Sequence, residues 1–157
     1  MCRTKLLILL LSLISLLGCS YSFVLDKGAA TIKVALEHSN NSTALREAGM
    51  TLDASLERAL SSMGMLESTG DHHVLQCTLV SASSQTITSS SLSSTDRYRL
   101  IISVSATLMD TQGKKVWNAT FSDEGTYSEG GQPEDALDEA CSEVSLQITR
   151  AIASLSL

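Results

Sequence analysis

From Arg97 to Asp110 apolar and polar side chains alternate, interrupted only by Ile101 and Met109, and only an extended strand gathers such a pattern onto faces. Tyr98, Leu100, Ile102, Val104, Ala106 and Leu108 fall on one side, and Arg99, Ile101, Ser103, Ser105 and Thr107 on the other. Thr111-Gln112-Gly113-Lys114 then forms a tight turn. Lys115 to Tyr127 returns as a second strand, with Trp117, Ala119 and Phe121 sharing a face. A long hairpin with one apolar face must be covered on that face, so the rest of the chain has to supply a second layer.

Two amphipathic helices are available for it. Leu45, Ala48, Leu52, Leu56, Ala59 and Met63 repeat at three- and four-residue spacing, which predicts a helix over about Ala44 to Met63, capped by Ser42 or Thr43 and stopped at Gly64. A second stripe, Leu137, Cys141, Val144, Ile148, Ile152 and Leu155, follows Pro133, with Glu134 and Asp135 in the first turn where the helix dipole favours negative charge. Two further segments alternate. Thr31 to Glu37 places Ile32, Val34 and Leu36 together. Val74 to about Thr88 places Leu75, Cys77 and Leu79 together. His38 to Ser42 reads as a polar turn, Ser89 to Thr95 as a long serine loop, and Gly130-Gly131 as a strand exit. The order β-α-β-β-β-α predicts an α/β two-layer sandwich: one four-stranded mixed sheet with both helices on one face. The other face has only Ile87, Ile101 and Met109 to bury, and is either wet or covered by a partner.

The N-terminus sets a compartment. Arg3 and Lys5 precede an apolar run from Leu6 to Leu17, and the segment closes on Leu16-Leu17-Gly18-Cys19. A charged start followed by a short apolar stretch is a secretory signal, too short to span a bilayer. A small residue before a cysteine is what lipoprotein processing requires, so the expectation is cleavage before Cys19 and lipidation of its thiol. The chain then divides into a signal peptide (1–18), a lipidated tether (19–30) and one domain (31–157). Removing 18 of the 157 residues leaves 139, enough for one modest core. Without Arg3 and Lys5, 9 basic residues face 17 acidic ones, a net charge near −8. With aromatics at 4%, this excludes nucleic-acid binding by charge or stacking. Cys77 and Cys141 remain in an oxidising compartment, where they form either a disulfide or two buried thiols.

No constellation for catalysis stands out. His72-His73 has no further ligand at metal spacing. No Gly-x-Ser-x-Gly elbow occurs. Gly130-Gly131 has no phosphate-loop context. Glu134, Asp135, Asp138 and Glu139 serve helix-dipole compensation and solubility rather than paired acid and base work. Arg97 and Arg99 project from the polar sheet face, either as a solvated surface or as a small site for phosphate or carboxylate, to which a guanidinium fork is suited. The residues describe a non-enzymatic domain with no metal site.

Three segments carry a family resemblance. Gly18-Cys19-Ser20-Tyr21-Ser22-Phe23 resembles the Gly-Cys-Gly-Tyr/Trp-x-Phe/Leu start of the LptE family of lipopolysaccharide-assembly lipoproteins. Arg97 to Leu108 resembles that family's third strand, and Asp110 to Trp117 its following turn, D-x-x-(T/S)-G-K-x-(L/V)-W. The resemblance implies an outer-membrane lipoprotein, facing the periplasm or inside the barrel lumen, held in the inner leaflet by diacylglycerol and N-acyl lipid on Cys19, with no other cofactor. It implies a plug and assembly partner for the LptD β-barrel in lipopolysaccharide transport; if Arg97 and Arg99 form the anion site, its ligand is then a lipopolysaccharide phosphate. The chain departs from the family in its loops: Ser89 to Thr95 and Ser128 to Gln132 carry no base where better-known members are basic. This weighs against direct glycolipid binding more than against the plug role. The alternative is a lipoprotein that binds and activates another envelope machine, such as a cell-wall synthase. The short tether from Cys19 disfavours that reading.

Overall fold

The computed structural model describes residues 32–70, 72–87 and 97–155. The signal peptide, Cys19, the tether and the serine loop lie outside the described residues.

The long hairpin forms as its alternation predicts. Strand β4 (Arg97–Met109) pairs antiparallel with β5 (Lys115–Ser128), and β3 (His73–Ile87) pairs antiparallel with the other edge of β4. Strand β1 (Val34–Leu36) runs parallel to β3, giving the order β1-β3-β4-β5. The polar segment after β1 departs from the expected turn. Asn40–Asn41 makes a short strand, β2, which also runs parallel to β3, so the sheet has five strands rather than four. The chain hugs the edge of β3 through Glu37 N–H to Leu75 O (3.0 Å) and Ser42 N–H to Leu79 O (3.0 Å). Unpaired edge carbonyls are costly, and these bonds satisfy those of Leu75 and Leu79 without an apolar signal in the sequence.

Helix α1 (Ala48–Ser62) starts four residues later than its stripe suggests. The Asn41 side chain accepts from Thr43 N–H (2.9 Å) and donates to Leu45 O (2.6 Å), holding 41–45 in local turns. At the other end Gly64 takes φ +66. Its N–H donates to Ser61 O, and Met65 N–H donates to Leu60 O, both at 2.9 Å. These two bonds reverse the chain and bring Leu60 and Met65 into the core together, as this type of helix stop does. Met63, expected on the buried stripe, is 41% exposed, and Leu60 occupies the interior instead.

Pro133–Ala136 forms a turn of 3-10 helix leading into α2 (Leu137–Ala153). The carboxylate of Asp135 accepts the N–H of Gln132 (2.8 Å). Leu137, Cys141, Val144, Ile148 and Ile152 are buried as expected, joined by Ala140 and by two polar residues, Ser145 and Thr149. Both helices cover one face of the sheet, and the core lies between the layers. On β3 a bulge between Leu79 and Ser81 absorbs one residue. Inward positions are therefore odd up to Leu79 and even from Ala82 onward, which puts Ile87 on the outer face.

Candidate functional site: the uncovered face of the sheet

The face of the sheet away from the helices is the largest feature left without a structural role. Its composition is read across the paired strands. Three successive rows carry no charge: Gln76, Thr107 and Asn118; then Thr78, Ser105 and Thr120; then Ser81, Ser103 and Ser122. The hydroxyls of Ser103 and Ser122 hydrogen-bond across the strands at 2.7 Å. The signal was present in the sequence as alternate Ser and Thr at 103, 105 and 107. The band itself became visible only once β3 and β5 fell into register beside them.

Ionic groups stand at the ends of this band. Near one end, Ile101 pairs with Glu124, Arg99 with Thr126 and Arg97 with Ser128. Arg97 and Arg99 thus share the open face as expected, but they do not act as a pair. Arg99 Nη1 lies 2.9 Å from Glu124 Oε2, so its charge is already matched. Arg97 has no such partner among the described residues and lines a shallow depression of about 210 Å³ with Thr126, Tyr127 and Ser128. Beneath it, on the inner face, Tyr98 and Tyr127 stack with centroids 5.3 Å apart. At the other end of the face, Glu37, His72, Gln76 and Asp110 border a depression of about 430 Å³. Each of these is engaged locally: Gln76 donates to Glu37 (2.7 Å), His72 contacts Thr69 O, and Asp110 accepts the N–H groups of Gln112 and Lys114. Among the described residues no group of three or more His, Cys, Asp or Glu could hold a metal ion.

The remaining candidates resolve into structural roles. The acidic cluster at the start of α2 has specific partners. Asp138 meets Arg58 of α1 at 3.0 Å, and Glu139 accepts the N–H of Thr126 at 2.9 Å. Cys77 on β3 and Cys141 on α2 are free thiols, both buried in the core. Burial pushes the Cys77 thiol up to about 12, with the Asp53 carboxylate adding to the shift, and does the same to Cys141, with Asp138 adding. Among the described residues no helix is long and apolar enough to cross a membrane.

Fold and face together define a small open-faced α/β sandwich that presents a flat, hydroxyl-rich surface. The chain belongs to the LptE lipopolysaccharide-assembly family, whose model matches residues 29–152. That family consists of non-catalytic outer-membrane lipoproteins. Three solved structures share the architecture. A minor lipoprotein from Acinetobacter baumannii is 20% identical, with a TM-score of 0.55 over 79% of this chain and 94% of that one. The PelC dodecamer from Paraburkholderia phytofirmans is 16% identical, with a TM-score of 0.52 over 78% and 90%. The hypothetical protein CT253 from Chlamydia trachomatis is 10% identical, with a TM-score of 0.55 over 79% and 96%. At such identities the likeness is one of fold. No curated protein matches the chain in sequence.

Proposed function

We propose that this chain is a lipid-anchored, non-catalytic plug and assembly partner of an LptD-like outer-membrane β-barrel in lipopolysaccharide transport. The observation that carries the reading is the family match, which spans the whole sandwich. Lipidation of Cys19 would hold the domain at the inner leaflet of the outer membrane, because several acyl chains acting together make anchoring effectively permanent. The short stretch from Cys19 to Ile32 keeps the domain close to that membrane. The neutral hydroxyl band suits docking against a polar barrel lumen, since hydroxyls both donate and accept and carry no charge to desolvate.

Direct capture of the anionic glycolipid is a lesser part of this reading. Cleaved before Cys19 the chain has a net charge near −8, from 9 basic and 17 acidic residues, and Arg99 is matched by Glu124, which leaves Arg97 as the phosphate contact on this face.

Photocrosslinking in native cells tests the reading. Crosslinkers at Ser105 on the open face and at Gln112 in the hairpin turn should trap a large outer-membrane barrel, and depletion of the chain should stall that barrel's maturation. Trapping of a cell-wall synthase, or of no barrel, would overturn it. In the same strain Cys19→Ala should leave an uncleaved precursor at the inner membrane.

A further inference from the structure

The segment between β1 and α1 is held in place by polar contacts. Residues 38–43, His-Ser-Asn-Asn-Ser-Thr, contain no apolar side chain. Leu36 before them and Leu45 after them pack against the core, so the segment is a strap fixed at both ends. Its middle, Asn40–Asn41, pairs with Thr78 and Leu79 on the outer side of β3, and Ser42 N–H donates to Leu79 O (3.0 Å). Toward α1 its hydrogen bonds go to one residue, the largely buried Asp53. Oδ1 of that carboxylate accepts Ser39 N–H (2.8 Å), and Oδ2 lies 3.1 Å from His38 Nδ1. Gly49 of α1 lets the two backbones approach without interlocking: a β-carbon built there would stand 3.3 Å from Ser39 O. The Ser39 hydroxyl is buried and has no hydrogen-bond partner among the described residues. Closure of the strap leaves that group unsatisfied, and water would relieve it.

Ordering a chain segment costs conformational entropy, which burial of apolar side chains normally offsets. The strap has no such side chain, and its backbone bonds replace bonds to water at a small net gain. The Asp53 carboxylate is its one charged acceptor, and charge-assisted bonds are the stronger kind. We propose that residues 38–43 open as a unit while α1 and strands β3 to β5 stay in place, with Asp53 as the latch, and that opening admits solvent to Cys77. Cys77 lies on β3 next to Thr78, the partner of Asn40, and the Asp53 carboxylate is close enough to act on its thiol. The strap therefore closes the side of the sandwich at Cys77. Cys141 is on α2, with Asp138 as its charged neighbour, and the strap does not cover it. Such an opening is sub-global, with a free energy below that of unfolding. It does not depend on the function proposed above.

Site-resolved labelling of the full chain in detergent tests this. On prolonged exposure to a thiol reagent, with the two peptides quantified by mass spectrometry, both core thiols should react more slowly than a free thiol. Cys77 should nonetheless react faster than Cys141, at a rate that low urea leaves unchanged, because the opening exposes little surface. Asp53→Ala removes the latch and should speed Cys77 about tenfold, the equivalent of one charge-assisted hydrogen bond, with Cys141 unchanged. Asp53→Asn keeps an acceptor for Ser39 N–H and should fall between. In the unsubstituted chain the amides of Ser39 and Ser42 should exchange with deuterium well ahead of those of Leu56 in α1 and Ser103 in β4. Equal labelling of Cys77 and Cys141 with the same urea dependence would mean that only global unfolding exposes them, and would overturn the proposal. Exchange at Ser39 and Ser42 as slow as at Leu56 would overturn it too. The exchange measurement decides the matter even if neither variant folds.

Discussion

Gly125 of β5 lies against the carbonyl oxygen of Ala136 so closely that a β-carbon built on it would stand 2.1 Å from that oxygen. The inward face of β5 is bare here, and the turn Pro133–Ala136 rests on the gap. Gly125→Ala should force the turn off the strand and cost about 1–3 kcal/mol, the usual range for an overpacked core. Thermal unfolding of the variant measures it. An unchanged midpoint would mean that the turn is not seated on the strand.

The two core thiols predict a chemical signature. In the folded protein Cys77 and Cys141 should resist a thiol reagent at mildly alkaline pH, and denaturation without reductant should release both. Their ionisation also couples to stability. The folded-state values are raised to about 12 from 9.0. The unfolded chain therefore loses these protons first, and stability should be intact below about pH 9 and fall as pH rises toward 12. Chemical denaturation across that window checks the sign. Reagent uptake by the folded protein at the rate of a free thiol would refute the burial.

Leu60 and Met63 should separate cleanly. Leu60→Ala removes a fully buried side chain from beside Met65 and should cost about 2–5 kcal/mol. Met63→Ala lies at the surface and should change stability by less than about 0.5 kcal/mol. Equal losses from the two substitutions would place the helix stop elsewhere.

On the open face, Arg97 and Arg99 should differ in their response to a phosphate probe. With pyrophosphate as ligand at low salt, Arg97→Ser should weaken binding, and Arg99→Ser should have little effect. Glu124→Gln should strengthen binding by releasing the Arg99 guanidinium. None of these should alter stability by more than about 1 kcal/mol, because the Arg99–Glu124 pair is partly exposed. Calorimetric titration of the three variants decides it. Equal weakening by Arg97→Ser and Arg99→Ser would show that the two hold the anion jointly.

Much of the architecture was legible because each layer has its own period. The inward set on β4, from Leu100 to Leu108, and the stripe on α2 from Leu137 to Ile152 are buried as read, while Leu155 lies past the helix end and is half-buried. What escaped the sequence depended on hydrogen bonds rather than on hydrophobicity. β2 is two asparagines held by the β3 edge. The late start of α1 follows from the Asn41 side chain competing for the backbone. Leu60 follows Leu52 and Leu56 at the same four-residue spacing and is buried with them, whereas Met63 caps the helix beside the reversal at Gly64 and stays exposed. For the site, the residue types were readable, but the matching of Arg99 by Glu124 needed the register of two strands separated by a turn.

Strand β4 is hydrogen-bonded along both edges, and Leu100, Ile102, Val104, Ala106 and Leu108 are all but fully buried beneath it. Its amides alternate between the two neighbours, so those bonded to β5 exchange when that outer strand is released. Those bonded to β3 exchange with deuterium only when the middle of the sheet opens, so the slowest of them report the global free energy of the domain. β1, with three residues, opens on its own far more readily. The sandwich therefore has its least yielding element in the middle of the sheet, and its loosest at the N-terminal end of the described residues.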